Sequence, residues 1–164
     1  MLDLLLLRTW HIKKELKKWG QPAAGSYILD AGSGFGQYSY YMGRKWKDCH
    51  IDAIDVKEEQ IEDCSRFFEK IAYKNIHFEV GDLTKYVKED AYQLVLSVDV
   101  MEHIEEDLKV FENFNKSMKK GGMLLISTPS DQGGSDVHEH DDDSFIDEHV
   151  RDGYNIEEIQ EKLK

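Results

Sequence analysis

The sequence predicts an α/β fold in which helices cover both faces of a parallel sheet. Two observations support this fold class. Short apolar runs alternate with longer segments of helical periodicity. The first such run, residues 27–29, is followed by an acid and by glycines at positions 32, 34 and 36. A strand, a glycine turn and a helix, in that order, form the nucleotide-binding corner of a doubly wound sheet.

The composition is that of a globular chain with an acidic surface. Of its 164 residues, 40% are hydrophobic, and 33 Asp and Glu against 21 Lys and Arg give a net charge of −12. This balance disfavours nucleic acid, because nucleic-acid binding depends on neutralising phosphates. Cys49 and Cys64 match neither a disulfide framework nor a zinc-binding spacing, which favours a reduced, cytoplasmic chain.

Residues 2–19 are predicted to form one helix, because Leu5, Ile12, Leu16 and Trp19 recur on one face at helical spacing. The helix is also the most basic part of the chain. Packing beside the sheet with a solvated basic side is the simpler interpretation. A lid over the ligand and a contact with a membrane surface are the alternatives. Segment 1–22 is therefore treated as an N-terminal helix that precedes the core.

Strands and helices continue to alternate along the chain. The pattern predicts strands over 50–55, 75–80, 92–98 and 123–128 and helices over 38–46 and 57–70. Glu102 and His103 are predicted to open a further amphipathic helix, which residues 119–122 end with two lysines and two glycines. Its inner face is expected to consist of Ile104, Leu108, Phe111, Phe114 and Met118.

The glycine turn departs from the dinucleotide-binding fingerprint. Its third glycine falls one place early, at position 36, and Gln37 stands where the fingerprint has glycine. Asp30, just before the turn, would repel a pyrophosphate but suits a ligand with positive charge. Asp55 ends the second strand, where an acid can accept hydrogen bonds from ribose hydroxyls. Capping of the next helix is the alternative role for Asp55.

Residues 30–36, DAGSGFG, closely resemble motif I (D/E-x-G-x-G-x-G) of class I SAM-dependent methyltransferases. The acid at 55, the Gly-Asp-Leu at 81–83, the run SVDVMEHI at 97–104 and the KKGG at 119–122 resemble the family's later motifs, in the family's order. Glutamine at position 93, where an acid is more usual, is a small departure. The resemblance, which is greatest to the methyltransferase type 11/25-like group, implies a Rossmann-like sheet of order 3-2-1-4-5 with S-adenosylmethionine (SAM) as cofactor.

The resemblance also implies which residues contact the cofactor. The glycine turn and the end of the fourth strand would border its methionine half, Asp55 its ribose, and Val56, Asp82 and Leu83 its adenine. The implied contacts are Asp30, Ala31, Gly32, Ser33, Gly34, Asp55, Val56, Asp82, Leu83, Ser97 and Val98. No catalytic residue is assigned, because alignment of nucleophile and methyl group supplies much of the catalysis. His103 is either a general base or a pocket wall.

The predicted function is methyl transfer to a small-molecule, quinone-like or lipid-linked acceptor. A SAM-binding module without turnover and an NAD-binding oxidoreductase are the alternatives. We expect one domain over 1–164, with the cofactor-binding core at 23–130 and an acidic loop and short helix at 131–164. The His, Glu and Asp run at 138–143 suggests a metal site on paper, but a solvated acidic loop is favoured and no metal is expected. The chain ends where the family's strands six and seven would begin, so either a truncated chain or a fold that ends with five parallel strands is expected.

Overall fold

The chain forms a five-stranded parallel sheet of order β3-β2-β1-β4-β5. The structure, a computed structural model, describes residues 7–131, 150–151 and 153–164. The strands are β1 (Tyr27–Ala31), β2 (His50–Asp55), β3 (Ile76–Val80), β4 (Tyr92–Val98) and β5 (Met118–Ser127). This order confirms the predicted doubly wound, Rossmann-like fold.

Helices cover both faces of the sheet. They are α1 (Leu7–Trp19), α2 (Gln37–Lys45), α3 (Glu58–Lys70), α4 (Asp107–Ser117) and α5 (Ile156–Lys162). On one face, Ile12 and Leu16 of α1 pack with Met42 of α2 against Ile28 and Leu94. Residues of α3 complete that face. Because the central strands β1 and β4 are covered on both sides, they are apolar along nearly their whole length.

The opposite face is covered by α4 and by the C-terminal segment. Phe111 and Phe114 of α4 pack with Tyr154 against Leu29 and Val95. Full burial of side chains of this size contributes about 1.5–3 kcal/mol each. Since α2 follows β1 on one face and α4 follows β4 on the other, the carboxyl ends of these two strands border a crevice.

The helix predicted to open at Glu102 and His103 begins later in the structure. These two residues lie in a short 3₁₀ turn (Met101–His103), and α4 starts at Asp107. Extended backbone at Ile104 (φ −113°, ψ 117°) separates the two elements. Leu108, predicted on the inner face, is 56% exposed. The apolar pattern located this segment correctly but did not reveal the break in it.

The boundary between α4 and β5 was also predicted incorrectly. Met118 and residues 119–122 belong to β5 instead of forming the last turn and the cap of α4. Backbone hydrogen bonds from Asp90 N to Lys116 O (3.0 Å) and from Ala91 N to Ser117 O (2.9 Å) take the final carbonyls of the helix. The chain therefore joins the sheet alongside the segment that leads into β4, and the register there is irregular.

The C-terminal segment is held to the start of α4 by a buried carboxylate. Asp107 accepts hydrogen bonds from Arg151, from the Tyr154 hydroxyl (2.7 Å) and from Lys162 Nζ (2.6 Å). Burial alone would raise the pKa of Asp107, but these partners outweigh it and the pKa is lowered. Arg151 also donates to the carbonyl oxygens of Ile104 (2.7 Å) and Glu105 (3.3 Å). Arg151 thus braces the segment between the 3₁₀ turn and α4.

Candidate functional site

A cavity of about 660 Å³ opens beyond the carboxyl ends of the strands. Its volume lies in the range that holds small-molecule ligands and cofactors. Eight of the eleven predicted cofactor residues line it: Gly32, Ser33, Gly34, Asp55, Val56, Asp82, Leu83 and Val98. The sheet therefore brings together residues that lie up to 66 positions apart, the interval from 32 to 98.

The glycine turn forms one wall of the cavity and is fastened to β2. The N–H groups of Gly32 and Ser33 both donate to Ile54 O, at 2.8 and 2.9 Å. A Cβ on Gly32 would lie 2.2 Å from a Val100 methyl carbon, so this position is closed to any side chain. Gly34 (φ 49°) differs, because a Cβ there would meet nothing within 4 Å. Gly34 leaves its space to the cavity, so a ligand can approach the backbone.

Asp55 links the glycine turn to the start of α3. One carboxylate oxygen accepts Gly34 N–H at 2.9 Å and the other accepts Lys57 N–H at 3.0 Å. Lys57 holds the N-cap position of α3, and Asp55 contacts the start of this helix through the Lys57 N–H. A carboxylate offers about four acceptor positions. Two remain for a ligand after these two bonds are made, and Asp55 lines the cavity.

Asp82 occupies the turn after β3 and is a strong acceptor. It accepts from Lys85 Nζ (2.8 Å), from the Thr84 hydroxyl (2.7 Å) and from the Thr84 N–H (2.9 Å). These bonds, that of Lys85 first, lower the pKa of Asp82 to about 2. Asp82 is therefore ionised throughout the physiological range, although its own loop already uses both oxygens. Leu83 beside it is buried and gives the cavity an apolar surface.

Asp30, Ala31 and Ser97 lie behind the cavity and do not line it. Asp30 is 2% exposed and accepts a hydrogen bond from the Ser39 hydroxyl of α2. Its side chain alternates to the face where α2 packs, so it braces β1 against that helix. Burial, with a smaller repulsion from Asp55, raises the pKa of Asp30 to about 6. Direct contact of these three residues with a cofactor stays a prediction.

Two buried hydroxyl groups at this end of the sheet have no hydrogen-bond partner within the described part of the chain. They are those of Ser33, which lines the cavity, and Ser97, which ends a buried stretch of β4. An unsatisfied buried hydroxyl costs free energy, and such groups are usually satisfied by water or a ligand. Ser33 is therefore a polar group that is available to a ligand in the cavity.

The rim of the cavity contains residues to which the sequence analysis assigned no site role. These rim residues are Asp99, Ile104, Glu105 and Glu106, together with His103, whose role was left open. They lie in the segment after β4, and two signals could have identified them: this position, and for Asp99, His103 and Ile104 the motif-like run at 97–104. Asp99 has a left-handed backbone (φ 53°), and its N–H donates to Ser127 O of β5 at 2.8 Å. The buried Glu102 behind them accepts a hydrogen bond from Thr128 (3.2 Å), and burial raises its pKa.

The first turn of α1 contacts the same rim. Arg8 forms an ion pair with Asp99. The Thr9 hydroxyl lies 3.4 Å from the hydroxyl of Tyr38, which lines the cavity. The inner face of α1 packs on the sheet, as the simpler interpretation predicted. Its N-terminal end also lies at the cavity mouth, a placement that the lid alternative requires.

Metal binding finds no support in residues 7–131, 150–151 and 153–164, where no group of three His, Cys, Asp or Glu could hold an ion. The run at 138–143 that suggested a metal site lies outside the described residues, as do residues 2–6 of the predicted first helix. None of the helices in the described part of the chain is both long and apolar enough to cross a membrane.

Comparison with known proteins identifies the class to which this fold and cavity belong. Residues 23–162 match a family model described as a methyltransferase domain. The chain is 32% identical over 133 residues to phosphoethanolamine N-methyltransferase 1 of Triticum aestivum, an alignment that covers 71% of the chain and 26% of that protein. It is 30% identical over 102 residues to malonyl-[acyl-carrier protein] O-methyltransferase 2 of Ilyobacter polytropus, covering 62% and 38%.

A solved structure supports the same fold. Phosphoethanolamine N-methyltransferase 2 of Haemonchus contortus, in complex with S-adenosyl-L-methionine, superposes with a TM-score of 0.77 at 21% identity, covering 94% of this chain and 36% of that one. The chain therefore belongs to the class I SAM-dependent methyltransferase family, as predicted, and SAM is the family's cofactor. It spans only 26% and 38% of the two curated relatives.

Proposed function

We propose that this chain transfers a methyl group from SAM to a small-molecule acceptor. The observation that carries the proposal is the match to a methyltransferase domain over residues 23–162, which include the whole cavity. SAM carries its methyl group on a sulfonium, which leaves readily, so methyl transfer requires no covalent intermediate on the protein. The family assignment argues against the NAD-binding oxidoreductase.

The residues around the cavity fit this cofactor. Asp55 has acceptor positions left for the two hydroxyls of a ribose, and Gly34 leaves the space in front of it open. Val56 and Leu83 offer apolar surface to the adenine ring of the cofactor. The unsatisfied Ser33 hydroxyl can donate to a carboxylate. The carboxylates of Asp55 and Asp82 favour a ligand with positive charge over one with a pyrophosphate.

The rim supports a narrower proposal about the acceptor. Three acids, Asp99, Glu105 and Glu106, stand there with His103. Arg8 pairs with Asp99, so Glu105 and Glu106 carry the remaining negative charge, which favours a cationic or neutral acceptor over an anionic one. An amine fits best, and His103 can take the proton that the nitrogen loses. The relative from Triticum aestivum is named as an N-methyltransferase. Quinone-like and lipid-linked acceptors, and the cytoplasmic location, stay predictions.

Two measurements test the proposal. Calorimetry with S-adenosylhomocysteine should detect binding to the wild type and to Asp48→Ala, an exposed aspartate outside the cavity. Asp55→Ala should bind more weakly by about 1–3 kcal/mol, because ribose hydroxyls lose their acceptor. Transfer of labelled methyl groups to ethanolamine, phosphoethanolamine, a quinol and a lipid-linked amine then identifies the acceptor class. Ethanolamine should be preferred over phosphoethanolamine, because the phosphate is an anion.

The outcomes separate the alternatives. Absence of adenosyl binding would refute the proposal outright. Binding without transfer to any acceptor would favour the module without turnover. Transfer to the quinol but not to the amines would leave methyl transfer intact and contradict the argument from the acidic rim.

A further inference from the structure

The outward side of α1 combines apolar and cationic side chains that nothing in the described part of the chain covers. Leu7 and Trp10 are 73% and 54% exposed, and Lys14, Lys17 and Lys18 are exposed on the same side. We call these five residues the α1 outer face. The inner side of the helix is buried through Thr9, Ile12 and Leu16. The described part of the fold, residues 7–131, 150–151 and 153–164, therefore does not use the outer face for its own packing.

The charge of this helix is opposite to that of the chain. Between residues 7 and 19 there are five Arg and Lys and one Glu, whereas the whole chain has a net charge of −12. Lys14 Nζ lies 4.7 Å from the centre of the Trp10 ring, so a cation and an amphipathic aromatic side chain stand together. Tryptophan beside lysine is typical of side chains that sit at the boundary between lipid headgroups and acyl chains.

We propose that the α1 outer face docks this protein on an anionic lipid surface. Its cations match the charge of the headgroups, and Leu7 and Trp10 can enter the interface as the apolar side of an in-plane helix. An acidic protein would match the charge but does not require an exposed tryptophan and leucine at one end of the face. Acids lie close to these cations, with Glu15 paired to Lys18 and Asp99 paired to Arg8, so we expect the binding to be weak and to depend on salt.

The position of α1 gives this docking a consequence for the cavity. Arg8 pairs with Asp99 on the rim, and the hydroxyl of Thr9 lies 3.4 Å from that of Tyr38 in the cavity wall. A membrane bound by Leu7 and Trp10 therefore lies within one helix diameter (about 10–12 Å) of the cavity mouth. Phe35, which also lines the cavity, is 76% exposed there. Acceptors that reside in a membrane would reach the site without crossing bulk water.

Vesicle binding of the full chain tests this inference without reference to methyl transfer. The wild type should co-sediment with vesicles of phosphatidylcholine containing a quarter phosphatidylserine, but not with phosphatidylcholine alone. Raising NaCl from about 0.1 M to about 0.5 M should release it. Lys14→Gln/Lys17→Gln/Lys18→Gln should lower the partition coefficient about tenfold or more.

The matched control is Lys47→Gln/Lys70→Gln/Lys74→Gln, which removes the same charge from exposed lysines elsewhere and should retain binding. Trp10→Ala should weaken binding and remove a blue shift in fluorescence, because Trp46 is fully buried and Trp19 packs against it. Circular dichroism confirms that each variant folds. Equal loss of binding in the two lysine triples, equal binding to uncharged vesicles, or no binding by the wild type would overturn the proposal.

Discussion

Replacing Asp30 by asparagine is expected to stabilise the protein at neutral and alkaline pH. Asp30 is 2% exposed, and its carboxylate accepts a hydrogen bond from the Ser39 hydroxyl. Burial first, and then repulsion from Asp55, raises its pKa from 3.8 to about 6. Above pH 6 Asp30 is ionised, and the burial of this charge lowers the free energy of unfolding. Asparagine keeps an oxygen that accepts from Ser39 and carries no charge.

The magnitude follows from linkage between protonation and folding. A pKa shift of roughly two units corresponds to about 3 kcal/mol at 1.36 kcal/mol per unit. Because the folded state has the higher pKa, it binds the proton more tightly than the unfolded chain between about pH 4 and pH 6. The contribution of Asp30 to stability is therefore largest below pH 4, falls as the pH rises to 6 and stays low above it. Other acids titrate as well, so the difference between wild type and variant isolates this contribution.

Urea unfolding of both proteins across this pH range measures the effect. Asp30→Asn should match the wild type near pH 4 and exceed its free energy of unfolding by up to about 3 kcal/mol near pH 8. Asp48→Asn, at an exposed position, serves as the control and should not change the profile. Parallel profiles for wild type and Asp30→Asn would refute the reasoning, as would a variant that is less stable near pH 8.

Three further changes test the site and its support. Gly34→Val should lower the free energy of unfolding by about 1–2 kcal/mol, because φ is 49° at this position. The valine side chain should also fill part of the cavity and abolish S-adenosylhomocysteine binding in calorimetry; an unchanged affinity would show that the glycine turn does not belong to the site. Asp107→Ala should lower the free energy of unfolding by about 3–5 kcal/mol, because Arg151 and Lys162 lose their counter-charge. A loss below about 1 kcal/mol would show that these ion pairs do not stabilise the fold. Arg151→Lys keeps the charge but not the bridge to the backbone, so amide exchange over 101–106 should rise while the melting temperature changes little. Unchanged exchange would contradict the idea that this bridge holds the segment in place.

Local patterns predicted most of the fold. The parallel strands are buried on both faces, so each appears as a short apolar run between helical segments, and β2 and β4 have the predicted bounds. The glycine turn was also recognisable in the sequence, because its backbone leaves no room for side chains. A Cβ on Gly32, for example, would lie 2.2 Å from a Val100 methyl carbon. The break in front of α4 was not visible, because it depends on Arg151, 47 residues beyond Ile104, which binds the carbonyl there.

By itself, the sequence determined the fold class, the strand order and the end of the sheet at which a ligand would lie. The fold class and the ligand's end of the sheet follow from hydrophobic periodicity and from the glycine turn, whereas the strand order is what the resemblance to the methyltransferase family implied. Only the tertiary structure decided which predicted residues face the cavity. Asp30 lies next to the end of β1 and Asp55 ends β2, yet Asp30 braces a helix behind the sheet while Asp55 lines the cavity. That difference depends on the pleat of each strand and on the groups that surround each carboxylate. Those groups come from other elements of the chain.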